Sequence, residues 1–226
     1  MTLVIAVDGP AASGKGTIAA RLARTYGLPH LDTGLLYRAV GVKVLGDGHS
    51  LDDAEAAAAA AWSLVPAGLT EDERLTTGEA GEAASRVAGH PAVRAALLEL
   101  QQAFAGQPGG AVLDGRDIGT VIAPDAAAKL FVTATPEVRA ARRQKELIGR
   151  GEPASFDAIL DDIRRRDARD SGRSDAPLKA ADDAVILDTS ALTIPEALAA
   201  AIGIVERGRE DARLEPPAES GDGFSR

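Results

Sequence analysis

The sequence predicts an α/β protein in which a central parallel sheet is flanked by helices. Short apolar runs alternate with segments of helical periodicity along most of the chain, and this alternation is typical of a parallel sheet covered on both faces. The first run, Leu3–Asp8, leads into a glycine-rich loop and then into a helical pattern from Ile18 to Tyr26. Ligands of such sheets bind beyond the carboxyl ends of the strands, so we expect the functional residues there.

The same periodicities place the remaining elements. Further strands are predicted at residues 30–31, 111–114, 129–134 and 184–188. Further helices are predicted at 35–45, 54–62, 91–104, from 136 onward, 156–169 and 197–205. Two helix starts carry capping patterns: Thr135 precedes Pro136, and Thr193 stands three residues before Glu196.

The composition is that of a globular protein. Of the 226 residues, 45% are hydrophobic and 26% are charged, which suits a compact domain and argues against wholesale disorder. No apolar run approaches the ~20 residues that span a bilayer, and the start lacks the basic flank of a signal peptide. The chain has no cysteine, and its three scattered histidines make no zinc-ligand spacing. We therefore expect a cytoplasmic protein with no membrane partner.

The charge is unevenly distributed. A net charge of −9 argues against nucleic acid as a partner, because phosphate backbones attract lysine and arginine. Residues 139–173 reverse this average, with nine arginines and one lysine against seven acids. Two interpretations stay open: a solvated helix with alternating charge, which composition alone favours, or a place where small polyanions bind.

A phosphate-binding loop follows the first strand. It matches the pattern G-x-x-x-x-G-K, and its members are Gly9, Pro10, Ala11, Ala12, Ser13, Gly14, Lys15, Gly16 and Thr17. Glycines let backbone N–H groups point at one anion, and the start of the next helix adds partial positive charge. Lys15 supplies a full charge for the β- and γ-phosphates of ATP, and Thr17 offers a hydroxyl to Mg²⁺. The strand before it and the helix after it argue against a glycine-rich turn without function and favour a three-layer P-loop fold.

Arginines outside this loop could serve a second phosphate. Donor and acceptor phosphates repel each other, so phosphoryl transfer depends on positioning and on cations around the transferred group. The guanidinium fork suits phosphate oxygens. With Lys15, the candidate catalytic residues are Arg38, Arg116, Arg166 and Arg173.

Four segments, in this order, resemble those of bacterial cytidylate kinases. The loop has the G-K-G-T form found in nucleoside monophosphate kinases. The other three are LDTGLLYR at 31–38, LDGRDIGTV at 113–121 and RDARDSGR at 166–173. The likeness runs from about residue 3 to about residue 205. It implies transfer of the γ-phosphoryl group of ATP to CMP or dCMP with Mg²⁺.

The resemblance also implies roles for particular residues. Cytosine would be recognised by Ser85, Arg94 and Asp117, and the ribose by Tyr37 and Asp170. The full CMP set adds members of the same segments: Thr33, Arg38, Arg116, Arg166 and Arg173. Cytosine offers a donor at N4 and acceptors at N3 and O2, which a carboxylate, a hydroxyl and a guanidinium complement. Further contacts to ATP are implied for the arginines of the lid: Arg139, Arg142 and Arg143.

Some of these residues have ordinary structural alternatives. Without the resemblance, Arg94 is a surface arginine and Ser85 a helix serine. Asp114 ends a central strand near the loop, where it could hold Mg²⁺ through water, but an aspartate before a glycine also suits a simple turn.

The predicted organisation is a single kinase domain over residues 1–206, acting as a monomer. Its core comprises 1–45, 91–140 and 174–206, with a nucleoside-monophosphate-binding insert at 46–90 and a helical lid at about 141–173. Between Leu64 and Ala83 the insert is short and poor in β-branched residues, unlike the longer strand-forming insert of many cytidylate kinases, so we expect mostly helices. The polar tail 207–226 is predicted to be disordered.

Two other functions remain open at this stage. A kinase of UMP or of a non-nucleotide hydroxyl compound would share the loop and the lid but would not need Ser85, Arg94 and Asp117. A regulatory module that binds ATP without transfer would not need the arginines beyond the loop.

Overall fold

The computed structural model describes residues 2–214 and contains one five-stranded sheet, in which every pair of neighbouring strands is parallel. The strand order is β2-β3-β1-β4-β5. The strands are β1 (Leu3–Asp8), β2 (His30–Asp32), β3 (Gly110–Gly115), β4 (Ala128–Thr133) and β5 (Val185–Asp188). The predicted α/β fold with a central parallel sheet is confirmed.

The helices of the described residues overlap their predicted positions, except for α4, which lies in the insert where no individual helix was placed. They are α1 (Lys15–Tyr26), α2 (Thr33–Gly46), α3 (Ala54–Trp62), α4 (Gly78–Val87), α5 (Pro91–Ala105), α6 (Pro136–Gly149), α7 (Phe156–Ser171) and α8 (Ile194–Leu214). Both capping patterns are present, since the hydroxyls of Thr135 and Thr193 accept hydrogen bonds from backbone N–H groups of the helices that they precede.

Three apolar clusters build the layers around this sheet. Ile5 and Val7 of β1 point to the face covered by α1 and α8, while Ala6 points to the face covered by α5 and by a π-helical turn at Ile118–Ile122. This alternation along β1 follows from the two-residue period of a strand. A third cluster joins α2, α3, α4 and α5, so the insert has its own apolar core.

The insert is helical, as predicted. It contains α3, α4 and two 3-10 turns at Leu69–Glu71 and Glu73–Thr76. Helices α2 and α4 approach closely at Gly41, where an added Cβ atom would lie 2.7 Å from the Cβ atom of Ala83. This packing sets α4 beside the cavity described below.

The prediction of a disordered tail is wrong for residues 207–214, because α8 continues to Leu214. Two contacts hold this extension against the domain. Gly208 lies so near β4 that an added Cβ atom would stand 2.2 Å from the carbonyl oxygen of Ala127. Arg209 pairs with Glu206 and stacks 5.6 Å from the ring centre of Tyr26. The rest of that prediction, residues 215–226, lies outside the described residues.

Within residues 2–214, no helix combines the length and the apolar character that crossing a membrane would require.

Candidate active site

One cavity of about 760 Å³ opens at the carboxyl ends of the strands. The phosphate-binding loop forms part of its wall. The rest comes from the ends of β2 and β3, from α2, α4, α5, α6 and α7, and from residues 189–197, which lead into α8. Most of the predicted site residues meet here: Ala12, Ser13, Gly14, Lys15, Gly16, Thr17, Thr33, Tyr37, Arg38, Ser85, Arg94, Asp114, Arg116, Asp117, Arg142, Arg143, Arg166, Asp170 and Arg173. The four that do not line it are Gly9, Pro10, Ala11 and Arg139.

The loop has the backbone geometry of an anion nest. Gly9 has φ +151°, and an added Cβ atom would lie 2.0 Å from the carbonyl oxygen of Val132, so the first glycine is needed for fit. Ala12 and Gly14 adopt left-handed φ angles of 58° and 90°. Helix α1 starts at Lys15, three residues earlier than the apolar pattern predicted, and no side chain of the described residues caps it. Its first N–H groups are therefore available to a phosphate.

Lys15 carries the charge at the centre of this wall. Burial and, next, the positive charge of Arg116 lower the pKa of its amine to about 8, although the carboxylates of Asp114 and Asp32 partly oppose the shift. Among residues 2–214 its amine makes no salt bridge. A polyphosphate would supply the missing negative partner.

This pKa predicts a pH dependence for the use of ATP. A buried amine with a lowered pKa loses its charge as the pH rises through about 8. We expect kcat/KM for ATP to be level between about pH 7 and the pKa, and to fall above it, because this parameter reports the free enzyme. Direct measurement of product at several pH values, with circular dichroism to verify folding, tests this expectation. A kcat/KM that stays level to about pH 10 would contradict it.

Two carboxylates face each other beside Lys15. Asp32 and Asp114 are register partners on β2 and β3. Burial raises the pKa of Asp32, and the negative charge of Asp114 raises it further. Two neighbours fix Asp114: Nε2 of His30 lies 2.8 Å from its Oδ2, and the hydroxyl of Thr33 donates to its carbonyl oxygen at 2.8 Å.

This arrangement fits Mg²⁺. The donors are oxygens, and crowded negative charge favours a divalent cation. An added Cβ atom at Gly16 would lie 3.8 Å from Oδ1 of Asp114, so this carboxylate stands against the first turn of α1, which also carries Thr17. Within residues 2–214, no three acidic, histidine or cysteine groups converge on one point. Mg²⁺ sites of kinases commonly use one or two carboxylates and complete the shell with nucleotide phosphates and water.

A cluster of guanidinium groups lies across the cavity from the loop. Asp170 is its centre: Nε of Arg116 donates to Oδ2 at 2.8 Å, and Nη2 of Arg173 donates to Oδ1. Burial acts to raise the pKa of Asp170, but the charges of these two arginines outweigh it and hold the pKa below its usual range. Asp170 is therefore ionised and orients both forks.

Some N–H groups of this cluster make no hydrogen bond within residues 2–214. The Nε atoms of Arg166 and Arg173 are buried and have no hydrogen-bond partner among residues 2–214. Burial lowers the pKa of Arg166, and the like charge of Arg116 lowers it further. Arg38 reaches the same cavity and donates to the carbonyl oxygen of Leu75 at 3.1 Å. Crowded cations with unpaired N–H groups form a site for an oxyanion.

The residues assigned to the base lie at another part of the wall. Nη2 of Arg94 donates to Oδ2 of Asp117, and its Nε donates to Asp175 at 3.0 Å. Arg94 is only 8% exposed, so the alternative of a surface arginine is wrong. Ser85 lies on α4, as the alternative of a helix serine had it, and is 6% exposed at the cavity wall. Tyr37 is buried beside them, and burial raises its pKa to about 12.

The three lid arginines divide into two groups. Arg142 and Arg143 line the cavity, and Arg142 donates to both the hydroxyl and the carbonyl oxygen of Thr189. Arg139 does not reach the cavity, because its donors are already used. It pairs with Asp167 through both Nη atoms and donates to the carbonyl oxygen of Ala11 at 3.1 Å. Its position supports a structural role between α6, α7 and the loop, rather than the predicted contact with ATP.

Asp8 is a buried carboxylate next to the site that the sequence analysis did not single out. Its two carboxylate oxygens accept hydrogen bonds from the N–H groups of Ile118 and Gly119, each at 2.8 Å. These bonds hold the chain just after Arg116 and Asp117. Burial raises the pKa of Asp8 to about 6, although the two backbone bonds oppose the shift. In the sequence, the feature that could have indicated Asp8 is its place as a carboxylate at the end of an apolar strand.

An amide nest with a free lysine faces a guanidinium cluster across one cavity, and the nest sits at the carboxyl edge of a parallel sheet. This combination defines the class of P-loop phosphotransferases. Solved structures support the fold. A gluconokinase from Sinorhizobium meliloti matches with a TM-score of 0.52 at 15% identity, over 93% of this chain and 95% of its own. An uncharacterised protein from Eubacterium ventriosum matches with a TM-score of 0.51 at 13% identity, over 91% and 99%.

The chain belongs to the cytidylate kinase family, whose model matches residues 5–207. A cytidylate kinase of Xanthobacter autotrophicus is 66% identical over 207 residues, which are 92% of this chain and 99% of that protein. One from Caulobacter vibrioides is 62% identical over 214 residues, covering 95% and 100%. The family resemblance stated from the sequence is confirmed.

Proposed function

We propose that this phosphotransferase moves the γ-phosphoryl group of ATP to CMP or dCMP, giving ADP and CDP or dCDP. The observation that carries the proposal is the pair of anion sites facing each other across one cavity, with Ser85, Arg94 and Asp117 lining the same cavity. The names of its relatives agree, since proteins 57–66% identical to it are cytidylate kinases. Binding of ATP alone would not require the second site.

The donor side would hold the triphosphate of ATP. Backbone N–H groups of the loop and the amine of Lys15 face the β- and γ-phosphates, and Arg142 and Arg143 extend the positive wall. Thr17 and Asp114 would hold Mg²⁺, Asp114 directly or through water. When bound, the ion would neutralise charge on the β- and γ-phosphate oxygens.

The acceptor side would hold the monophosphate. Its phosphate binds the guanidinium groups of Arg38, Arg116, Arg166 and Arg173. Asp170 and Tyr37 contact the sugar, and Thr33 supports this wall by holding the end of β3. The base is recognised by Ser85, Arg94 and Asp117, in which a hydroxyl, a guanidinium and a carboxylate complement the N4 donor and the N3 and O2 acceptors of cytosine.

Transfer needs no nucleophile from the protein. An oxygen of the CMP phosphate attacks the γ-phosphorus in line, the new P–O bond forms, and the bond to the β–γ bridging oxygen breaks as ADP leaves. Arg166 on α7 and Arg173, two residues after its end, stabilise charge on the transferred group. We propose that residues 141–173 close over both nucleotides as a lid and exclude water, which would otherwise accept the phosphoryl group.

Acceptor specificity in the presence of Mg·ATP tests the function. We expect CMP and dCMP to be used at least about 10²-fold more efficiently than UMP or AMP, because uracil would present an acceptor to the carboxylate of Asp117. Chromatographic measurement of each diphosphate gives the four values of kcat/KM. The Lys15→Ala variant, purified identically, measures any contaminating kinase.

Two outcomes would replace this proposal. Preference for UMP or for a non-nucleotide acceptor would indicate another kinase of the same fold. Binding of ATP without transfer to any of the four monophosphates would favour a regulatory module. The expected monomeric state, cytoplasmic location and division into core, insert and lid stay predictions.

A further inference from the structure

Arg169 connects two helices just outside the cavity. It lies on α7, and Nη1 of its guanidinium group donates to Oγ of Ser85 on α4 at 2.8 Å. The same group forms a two-pronged pair with Glu82, one α-helical turn before Ser85, at 3.2 and 2.9 Å. Ser85 lines the cavity, whereas Arg169 and Glu82 do not. Arg169 therefore does not reach a ligand in the cavity itself, and it can affect the site through its hydrogen bond to Ser85.

This contact constrains the hydroxyl of Ser85. A guanidinium group can only donate, so Arg169 occupies one lone pair of the serine oxygen. A second lone pair and the hydroxyl hydrogen stay available toward the cavity. Ser85 is 6% exposed, so water has little access to compete for the oxygen. The serine is thus held in one orientation toward a bound base.

The contact also joins two parts of the site. Arg166 and Asp170, which line the acceptor side, lie on α7 with Arg169. Arg166 makes a further bond to α4, from its Nη2 to the carbonyl oxygen of Gly81 at 3.3 Å. A displacement of α7 would therefore move the phosphate-side groups and the support of Ser85 together.

We propose that Arg169 is a positioning residue that holds the Ser85 hydroxyl for the pyrimidine and couples base recognition to the placement of α7. Glu82 orients Arg169 through its paired bonds. The inference rests on the proposed function, since it assigns Ser85 to the base. It concerns the acceptor alone: the contacts of Arg169 lie on α4, away from the ATP loop.

A double-mutant cycle tests the coupling. The variants are Arg169→Met, which keeps much of the aliphatic length and removes every donor, Ser85→Ala, and the two combined. We expect Arg169→Met to lower kcat/KM for CMP by about 10- to 100-fold, as for a lost hydrogen bond from a charged donor, and to reduce the preference for CMP over UMP. The KM for ATP should stay within about twofold. In the Ser85→Ala background the Arg169 change should cost almost nothing more.

Two further variants test whether the effect of Arg169→Met arises only from a general disturbance of the fold. Arg165→Met is the matched control, because Arg165 is on the same helix and 65% exposed, and its one ion-pair partner among residues 2–214 is Asp162. It should leave all parameters unchanged. Glu82→Gln retains the charge of Arg169 but weakens its orientation, so it should shift CMP use in the same direction by a smaller factor. It also supplies the test if Arg169→Met fails to fold.

The results separate the two claims. Wild-type protein that does not phosphorylate CMP overturns the proposed function, and this inference with it. Wild-type protein that does, together with an unchanged CMP/UMP ratio in Arg169→Met and Glu82→Gln, overturns the inference alone. The inference is also overturned if the fold-losses in kcat/KM of Ser85→Ala and Arg169→Met multiply in the double variant. Multiplying losses correspond to additive free energies, which are expected of residues that act independently.

Discussion

Replacing Lys15 with alanine is expected to reduce CDP formation by about 10³-fold or more while the protein stays folded. The amine is the full positive charge at the loop, and it stands where the β- and γ-phosphates of ATP would lie. Its loss removes stabilisation of the charge that develops during transfer. Rates of CDP formation at saturating CMP and ATP measure the effect.

The structure explains why folding should survive this change. The lowered pKa of the Lys15 amine indicates that its charge is partly desolvated, and among residues 2–214 no carboxylate pairs with it. The melting temperature should therefore be equal to or above that of the wild type. Lys43→Ala is the control, because Lys43 is an exposed residue of α2 whose one ion-pair partner among residues 2–214 is Asp47, just after that helix. If Lys15→Ala formed CDP at nearly the wild-type rate, the proposed role of the loop in phosphoryl transfer would be contradicted.

Replacing Arg116 with alanine is expected to lower kcat/KM for CMP by about 10²- to 10³-fold. Arg116 supplies one guanidinium group of the acceptor cluster and donates to Asp170, which also orients Arg173. Its removal takes away a group that would bind the CMP phosphate, and it leaves the buried carboxylate of Asp170 without one of its hydrogen-bond donors. Steady-state kinetics with CMP varied at saturating ATP give the value.

A lysine at the same position separates charge from geometry. Arg116→Lys keeps the positive charge but cannot donate both to Asp170 and, as a fork, to a phosphate. It should recover a part of the lost kcat/KM, while binding of ATP measured without CMP should be unaffected in both variants. Equal use of CMP by wild type and Arg116→Ala would show that the cluster around Asp170 does not bind the acceptor.

Most of the sheet and the phosphate-binding loop could be predicted from the sequence, because both depend on local residue patterns. The bounds of β1 and of α3 agree at both ends with the apolar and alanine-rich runs. The helical nature of the insert also followed from local composition, since the segment between Leu64 and Ala83 is short and poor in β-branched residues. The start of α1 was placed three residues late, because periodicity of apolar side chains cannot register a helical turn made of glycine, lysine and threonine.

What the sequence could not show depends on contacts between distant segments. Arg139, Arg142 and Arg143 look alike in a basic helix, and only the fold reveals that Arg139 turns away to Asp167 and the carbonyl oxygen of Ala11. The continuation of α8 depends on Gly208 packing against Ala127, more than 80 residues earlier in the chain.

The same limit applies to the groups that support the site. Asp8 holds a loop about 110 residues away in sequence, and its role required the register of β1 with β3. The bond from Arg169 to Ser85 spans 84 residues. Each partner by itself resembles an ordinary polar residue at the end of an element or on a charged helix.

The central claim is that two repelling phosphates are brought together between the loop and the arginine cluster. The most direct measurement is a crystal structure of the protein with ADP and CMP bound. We expect the β-phosphate of ADP on the N–H groups of the loop, and the CMP phosphate within hydrogen-bond distance of Arg38, Arg116, Arg166 and Arg173. A CMP phosphate bound elsewhere, with these guanidinium groups facing solvent, would contradict the account.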